Sequence, residues 1–81
     1  MKSDLFSKAI SDRNRVKFLY GFNEVVLEPY YIAFNKTGKK VIYGRISSTN
    51  EIKMFEYEKI MNIKVLEYNK FSPIIPIMSF N

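Results

Sequence analysis

Residues 39–46 read Lys-Lys-Val-Ile-Tyr-Gly-Arg-Ile and predict the β-strand around which the other elements are arranged. Four of these side chains are β-branched or aromatic, and a Lys-Thr-Gly turn signal at 36–38 precedes the run. The run is apolar on both faces, as expected for a strand with neighbours on both sides rather than one at a solvent-exposed edge. Gly44 removes a side chain inside the strand, which predicts a bend or the close approach of another segment.

The composition describes a small domain with little catalytic chemistry. The chain has 81 residues, enough for one domain, and its seven Phe and six Tyr residues help so short a chain to bury apolar surface. It has no cysteine, which excludes disulfides and thiolate chemistry, and no histidine, the commonest general base. We therefore expect a protein that is not an enzyme and carries no cofactor.

The charge balance favours an anionic partner. The net charge is +5, which suits nucleic acid, nucleotides or acidic lipid, although on charge alone ordinary solubilising charge explains it slightly better. The first eight residues contain one acid and two lysines, unlike a secretory signal. No apolar run approaches the ~20 residues needed to span a bilayer. A cytoplasmic location without a membrane partner is therefore expected.

A short amphipathic helix is predicted at 3–12. Ser3 can cap it, and Asp4 lies in the first turn, where the helix dipole favours a negative charge. Its apolar stripe consists of Leu5, Phe6, Ala9 and Ile10. A helix of two to three turns is too short to persist alone, so we expect it to dock as a lid.

Short strands follow the helix. They are predicted at 15–20, 24–30, 30–35, 39–46, 51–57 and 62–68, with a single helical or 3₁₀ turn within 57–61. The first strand alternates, with Val16, Phe18 and Tyr20 on one face and the residues between them on the other, which predicts one buried face. Pro29 has no amide donor, so it marks an edge, a bulge or a change of sheet. Close strand spacing with hairpin-length turns indicates an antiparallel barrel or sandwich. The predicted fold is α+β: the N-terminal helix on a strongly bent antiparallel barrel of about five strands at 15–68.

The last segment, residues 69–81, is predicted to be an apolar tail. Pro73 and Pro76 rule out a regular ladder, but the segment is too apolar for a free tail. It either packs back on the barrel or docks onto a protein partner or a second copy of the chain. The residues expected to make this contact are Phe71, Ile74, Ile75, Ile77 and Phe80.

Binding chemistry is richer than catalytic chemistry. Glu56 and Glu58 could hold a metal, but the interleaved lysines favour a solvated pair, so no metal ligand and no catalytic residue is predicted. Basic groups neutralise phosphates while aromatic faces stack on unpaired bases. A solvated hairpin tip and core aromatics are the competing interpretation. The basic-aromatic set comprises Lys36, Lys39, Lys40, Arg45, Lys53 and Lys59, interleaved with Tyr43, Phe55 and Tyr57.

Several segments occur in the order of a known family. They are the helix ending in Ala9-Ile10, Val-Lys-Phe-Leu-Tyr at 16–20, Val-Leu-Glu-Pro-Tyr at 26–30, Gly-Lys-Lys-Val-Ile-Tyr-Gly at 38–44, Lys-Met-Phe-Glu-Tyr-Glu-Lys-Ile at 53–60, and the closing segment 65–71. Together they resemble a WYL domain, a small Sm-like β-barrel found in many bacterial transcription regulators. Lys40-Val41-Ile42 stand at the Trp-Tyr-Leu positions that name the family.

The resemblance implies a non-catalytic, ligand-sensing module. Such a module would bind single-stranded nucleic acid or a nucleotide-type anion in a basic groove and signal to a partner, as in WYL-type transcription regulators. The ligand-binding candidates carried over are Lys53 and Lys59, at family arginine positions, with Arg45, Tyr43, Tyr20 and Lys40 nearby. Lysine keeps the charge but lacks the planar fork of arginine. The alternative is an interaction or oligomerisation module that has lost its ligand and works through the apolar tail.

Overall fold

The computed structural model describes residues 2–72, which contain one α-helix, one 3₁₀ turn and five strands. In chain order these are α1 (Lys2–Asp12), β1 (Asn14–Tyr20), β2 (Asn23–Phe34), β3 (Lys40–Ile46), β4 (Ile52–Glu56), the 3₁₀ turn (Tyr57–Lys59) and β5 (Ile60–Lys70). The α+β class and the short turn before the last strand are as predicted. Within the described range, no helix has the length and apolar character needed to cross a membrane.

The strands form one antiparallel sheet, in the order β4-β3-β2-β1-β5. No ladder joins β4 to β5 among residues 2–72, so the sheet is open and the closed barrel expected from the sequence is not found. Yet only the three residues of the 3₁₀ turn separate β4 from β5, which lie at opposite ends of the sheet. Three residues reach about 10 Å at most. The sheet is therefore strongly bent, as predicted, although its edges are not hydrogen-bonded to each other.

β3 is an interior strand, paired with β2 on one side and with β4 on the other, as its sequence predicts. Val41 and Ile42 are fully buried. A Cβ atom on Gly44 would lie 2.4 Å from the carbonyl oxygen of Glu28 and 2.7 Å from Cγ of Leu27. The close approach predicted at Gly44 is thus present, and the approaching segment is β2.

β2 is a single strand of twelve residues where two segments were predicted. Its register against β3 shifts between Pro29 and Tyr31, which leaves Tyr30 as an extra residue in the strand. Of the three interpretations of Pro29, the bulge is the correct one. The bulge lets a proline stand inside a long strand without ending it.

The hydrophobic core lies between α1 and one face of the sheet. The alternation predicted for β1 is confirmed, because Val16 and Phe18 are buried there. The ring of Phe6 on α1 lies edge-on to Phe18 at 6.3 Å, and Phe18 lies edge-on to Phe55 at 5.3 Å, the arrangement that aromatic rings prefer. The core consists of Phe6, Ala9, Val16, Phe18, Leu27, Ile42, Phe55 and Ile60.

The start of the predicted tail belongs to the folded domain. β5 continues to Lys70, and the Phe71 amide then donates to the Arg13 carbonyl oxygen at 3.0 Å. The Phe71 ring is buried against Tyr30, with 5.7 Å between ring centroids. Phe71 is therefore not presented at the surface. The other residues predicted to contact a partner, Ile74, Ile75, Ile77 and Phe80, lie outside the described residues.

The end of α1 offers a stabilising substitution. Arg13 is exposed and has a φ of 58°, a left-handed conformation that L side chains adopt at a cost and glycine adopts freely. We expect Arg13→Gly to raise the free energy of unfolding by about 0.5–1 kcal/mol. Urea unfolding would measure this, with Arg13→Lys as a control that keeps the same strain. A less stable glycine variant would contradict the interpretation.

Candidate functional site

The residues predicted to bind a ligand are divided between the two faces of the sheet. Successive side chains of a strand point to opposite faces, so Tyr43 and Arg45 point away from the face on which Ile42 is buried. Lys53 and Phe55 are two residues apart in β4, so they share a face, and Phe55 is buried on the same face as its partner Ile42. Lys53 therefore lies on the face opposite to that of Tyr43 and Arg45. The structure therefore does not bring all six candidates into one groove.

Arg45 forms an ion pair with a buried carboxylate. Its Nε donates to Oε1 of Glu28 at 2.9 Å and its Nη2 donates to Oε2 at 3.0 Å. Nη2 of Arg15 donates to the same carboxylate at 3.1 Å, and the Glu28 side chain is only 1% exposed. Arg15 also donates to Oδ1 of Asn69 and to the carbonyl oxygen of Lys70. Arg15, Glu28 and Arg45, the arginine–glutamate triad, thus tie β1, β2 and β3 together.

The triad is ionised at neutral pH. Burial by itself would raise the pKa of the Glu28 carboxyl, but the hydrogen bonds and positive charges of Arg45 and Arg15 outweigh burial and bring the pKa below its ordinary value of 4.5. The hydrogen bond to Glu28 raises the pKa of Arg45 in turn. Each charge is paired inside the molecule, so Arg45 acts mainly as a structural residue.

Two predicted tyrosines also have structural partners. The ring of Tyr43 stacks on that of Tyr31, with 4.7 Å between centroids and 19° between planes. Tyr20 lies edge-on to Phe55 at 4.9 Å, and its hydroxyl oxygen accepts the Glu56 amide at 3.3 Å. Tyr20 therefore packs on the core, and Tyr43 forms part of an outer-face aromatic pair.

An exposed aromatic–cation cluster lies where β2 ends and β3 begins. Phe34 is 67% exposed, and the register places it opposite Lys40. The Lys40 Nζ lies 5.9 Å from the centroid of the Phe34 ring and 5.7 Å from that of Tyr57, within the range of cation–π attraction. We call these three residues the Phe34 platform. It joins an exposed ring face to a positive charge.

The turn beside the platform is held by one asparagine. Oδ1 of Asn35 accepts hydrogen bonds from the Thr37 amide at 3.0 Å, the Thr37 hydroxyl at 2.8 Å and the Lys39 amide at 2.9 Å. Gly38, with a φ of 80°, supplies the left-handed conformation that the turn requires. The turn therefore holds the exposed lysines Lys36 and Lys39 next to Phe34.

The remaining charges near the platform form ion pairs at the surface of the protein. Lys39 Nζ contacts Oε1 of Glu58 at 2.5 Å, and Lys59 Nζ lies 3.5 Å from Oε1 of Glu56. The hydrogen bond and charge of Glu58 raise the pKa of Lys39, and those of Lys39 lower the pKa of Glu58. Both carboxylates are thus engaged by lysines. No group of three or more His, Cys, Asp or Glu residues that could hold a metal occurs within residues 2–72.

Lys53 extends the basic surface along the sheet. It is exposed and pairs in register with Gly44, four residues along β3 from Lys40. Among the described residues it forms no salt bridge, so its charge is available to a ligand. The structure thus brings Lys40 and the turn lysines together, while Lys53 lies further along the same face.

Sequence reasoning missed two residues. Phe34 was treated as part of a strand, but a large aromatic directly before an Asn-Lys-Thr-Gly turn has no strand beyond it to cover its ring. Glu28 stands between Leu27 and Pro29 in an otherwise apolar run. An isolated acid in such a run was the available signal, because a buried acid requires a cationic partner.

Comparisons with known proteins show a shared fold. No protein-family model and no curated protein matches the sequence of this chain. Among solved structures, the chain is similar to proteasome accessory factor B/C (PafBC) of Arthrobacter aurescens, with a TM-score of 0.77 and 17% sequence identity. The match covers 98% of this chain and 13% of the PafBC chain. The chain thus has the fold of a small part of PafBC.

Proposed function

We propose that this chain is a cytoplasmic, non-catalytic, WYL-like module that binds single-stranded nucleic acid or a nucleotide-type anion and signals to a partner. The observation that carries the proposal is the Phe34 platform, in which a largely exposed ring lies beside the Lys40 ammonium group. The sequence resemblance to WYL domains and the fold shared with part of PafBC support it.

The platform supplies both contacts that a single strand needs. An unpaired base can stack on Phe34, and the adjacent lysines can neutralise phosphates. Lys39 is paired with the exposed carboxylate of Glu58 and Lys59 with that of half-buried Glu56, but ion pairs at the surface contribute at most about 1 kcal/mol and are screened by salt. A phosphate can therefore displace Glu58 from Lys39. Because Arg45 is engaged in the triad, we assign the site to Phe34, Lys40, Lys39, Lys53 and Lys59.

Tyr57 connects the platform to the N-terminal helix. Its ring lies 5.3 Å from that of Phe6, and its carbonyl oxygen accepts a hydrogen bond from Lys2 Nζ at 2.5 Å. Burial raises the pKa of the Tyr57 hydroxyl, so the ring stays neutral beside Lys40. A ligand that draws Lys40 towards a phosphate changes a contact of Tyr57. We infer that the signal passes from the platform to α1.

The proposal predicts distinct effects of the ring and the charge. We expect Phe34→Ala to weaken binding of a fluorescein-labelled oligothymidylate about tenfold, since stacking contributes about 1–3 kcal/mol per base. Lys40→Gln should weaken binding too and reduce the slope of log affinity against log salt by about one. Fluorescence anisotropy at low and at physiological salt measures both effects.

Matched controls lie elsewhere on the molecule. Phe22 is fully exposed in the turn at the opposite end of β2, and Lys8 lies on α1 in an exposed pair with Asp12. Phe22→Ala and Lys8→Gln should leave affinity nearly unchanged; equal losses would show non-specific attraction and contradict the site. Saturable binding with little salt dependence would indicate stacking or a site for a single small nucleotide. No binding even at low salt would overturn the proposal in favour of an interaction module that works through the apolar tail.

A further inference from the structure

The face of the sheet opposite the core, which we call the outer face, also contains a buried apolar side chain. Val41 follows directly before the core residue Ile42 in β3, and successive side chains of a strand point to opposite faces. Val41 therefore points away from the core. It is nevertheless 0% exposed, as completely buried as Ile42 itself. Something must cover this face of β3.

The strand register shows which side chains surround Val41. Ala33 on β2 and Glu56 on β4 stand directly opposite it, and the stacked pair of Tyr31 and Tyr43 lies two residues further along. Directly opposite residues of neighbouring strands share a face, so all these side chains stand beside Val41 in one layer. Full burial of a valine also requires atoms above that layer.

The helix and the 3₁₀ turn supply a second layer on the other face. α1 packs on the core through Phe6 and Ala9, and the 3₁₀ turn does so through Tyr57. A strand that is apolar on both faces needs a packed layer on each of them. Within residues 2–72, these two elements account for the layer on the core face.

The chain reaches the outer face where the described residues end. The ring of Phe71 packs edge-on against Tyr30, whose hydroxyl donates to Oε1 of Glu28 at 3.4 Å. Glu28 stands opposite Arg45 in the register, and Arg45 lies on the same face as Val41 because four residues separate them in β3. Phe71 thus lies beside the triad, and the chain continues from the outer face.

The next segment, residues 73–81, has the composition that a covering layer needs. Five of its nine side chains are Ile, Met or Phe, and none is charged. Nine extended residues reach about 30 Å, whereas neighbouring strands lie only about 5 Å apart, so the segment is long enough to cross β2, β3 and β4. Pro73 and Pro76 prevent it from joining a ladder but not from packing its side chains on a sheet face.

We propose that residues 73–81, which lie outside the described residues, fold back over the outer face of their own chain. Their apolar side chains pack on Val41 and on the pair of Tyr31 and Tyr43. A second copy of the chain is not needed, because Val41 is buried within a single chain. The segment then belongs to the fold rather than to an interface with a partner.

This arrangement leaves the Phe34 platform open. Phe34 stands opposite Lys40, and Lys40 adjoins Val41 in β3, so both platform residues lie on the face away from the segment. The proposal is therefore independent of whether the platform binds an oligonucleotide.

A spin label on the full-length protein tests the proposal. The chain has no cysteine, so Ser79→Cys provides a single attachment site for a nitroxide. We expect the nitroxide to broaden the amide signals of Tyr31 and Tyr43 more strongly than that of Lys8, which is exposed on α1 across the sheet. The same sample with the nitroxide reduced gives the reference spectrum. A mixture of ¹⁵N-labelled wild type and spin-labelled protein without ¹⁵N, which detects contacts between copies, should show no broadening.

Two substitutions by glutamate provide a matched pair in the spin-labelled protein. Ile77→Glu should shift the equilibrium at least about tenfold towards the undocked segment, since it removes the burial of an isoleucine side chain, and should reduce the broadening at Tyr43. Leu5→Glu introduces the same charge on α1, at a position that is 40% exposed, and should leave the broadening unchanged. Circular dichroism checks that both variants are folded.

Four outcomes would overturn the proposal: equal broadening at Lys8 and Tyr43, no broadening at either, broadening at Tyr43 that persists in Ile77→Glu, or equally strong broadening in the mixed sample. The last of these would identify a second copy of the chain as the source of the covering segment. Stronger broadening at Lys8 than at Tyr43 would place the segment on α1 and would likewise contradict the proposal.

Discussion

Gly44→Ala is expected to lower the free energy of unfolding by about 3 kcal/mol, a large fraction of the stability of so small a domain. The new methyl group would lie 2.4 Å from the carbonyl oxygen of Glu28, which is backbone and cannot rotate away. It would also lie 2.7 Å from Cγ of Leu27, a fully buried core residue. β2 and β3 must separate to admit it, which weakens their ladder.

Urea unfolding measures the effect, and Gly38→Ala separates steric clash from backbone strain. A Cβ on Gly38 meets nothing within 4 Å, but its φ of 80° is unfavourable for alanine. That variant should therefore lose only the conformational part, about 1 kcal/mol. If Gly44→Ala costs no more than Gly38→Ala, the close approach of β2 is not what requires glycine in β3.

Glu28→Gln is expected to cost about 3 kcal/mol, the loss typical of breaking a buried ion pair by removing one partner. Glutamine retains the shape of the side chain but leaves Arg15 and Arg45, whose side chains are more than three-quarters buried, without a counter-charge. The surface pair Lys17–Glu24, at 3.8 Å, provides the control. Glu24→Gln should change stability by less than about 0.5 kcal/mol.

The stability lost in Glu28→Gln should become smaller as the pH falls. The pKa of Glu28 is lower in the folded state than its ordinary value of 4.5, so the unfolded chain binds the proton more readily. The stabilisation is complete above pH 4.5 and is lost as the pH falls through the lower, folded-state pKa. The stability difference between wild type and Glu28→Gln should therefore shrink in acid. A constant difference from neutral to acidic pH would contradict the triad as an ionised unit.

Much of the fold follows from short-range patterns in the sequence. The alternation in β1 predicted the buried face that contains Val16 and Phe18, because side chains two residues apart in a strand point to the same face. Gly44 and Pro29 marked the close approach and the bulge through what each residue lacks, a Cβ and an amide hydrogen respectively. These features are local, so a single sequence reveals them.

Closure of the sheet could not be predicted in the same way. Strand count and spacing are identical for an open, curled sheet and for a closed barrel. The difference lies in whether β4 and β5 form a ladder, and in the described structure each pairs with only one neighbour. That outcome depends on long-range curvature, to which every strand contributes. No single residue in β4 or β5 indicates whether these two strands will pair.

The candidate site was predicted in part. The sequence indicated Lys40, Lys53 and Lys59 as binding residues and Tyr57 as an aromatic among them, but it gave no means of knowing that Arg45 on β3 pairs with Glu28 on the neighbouring strand β2. A sequence alone does not distinguish an arginine that binds a ligand from one that pairs with a buried carboxylate of the same protein. Phe34 was not predicted as a binding residue. Its exposure distinguishes it from a core ring, and that exposure depends on where its strand ends.

The position of β5 has a consequence for the kinetics of folding. The other ladders join strands that follow one another in the chain, whereas β5 returns to β1. The closest pair in this ladder, Tyr20 with Ile60, is 40 positions apart in the chain. The entropic cost of closing so long a loop must be met before any contact between the two strands is gained. We therefore expect the three hairpins to form first and β5 to dock last and leave first.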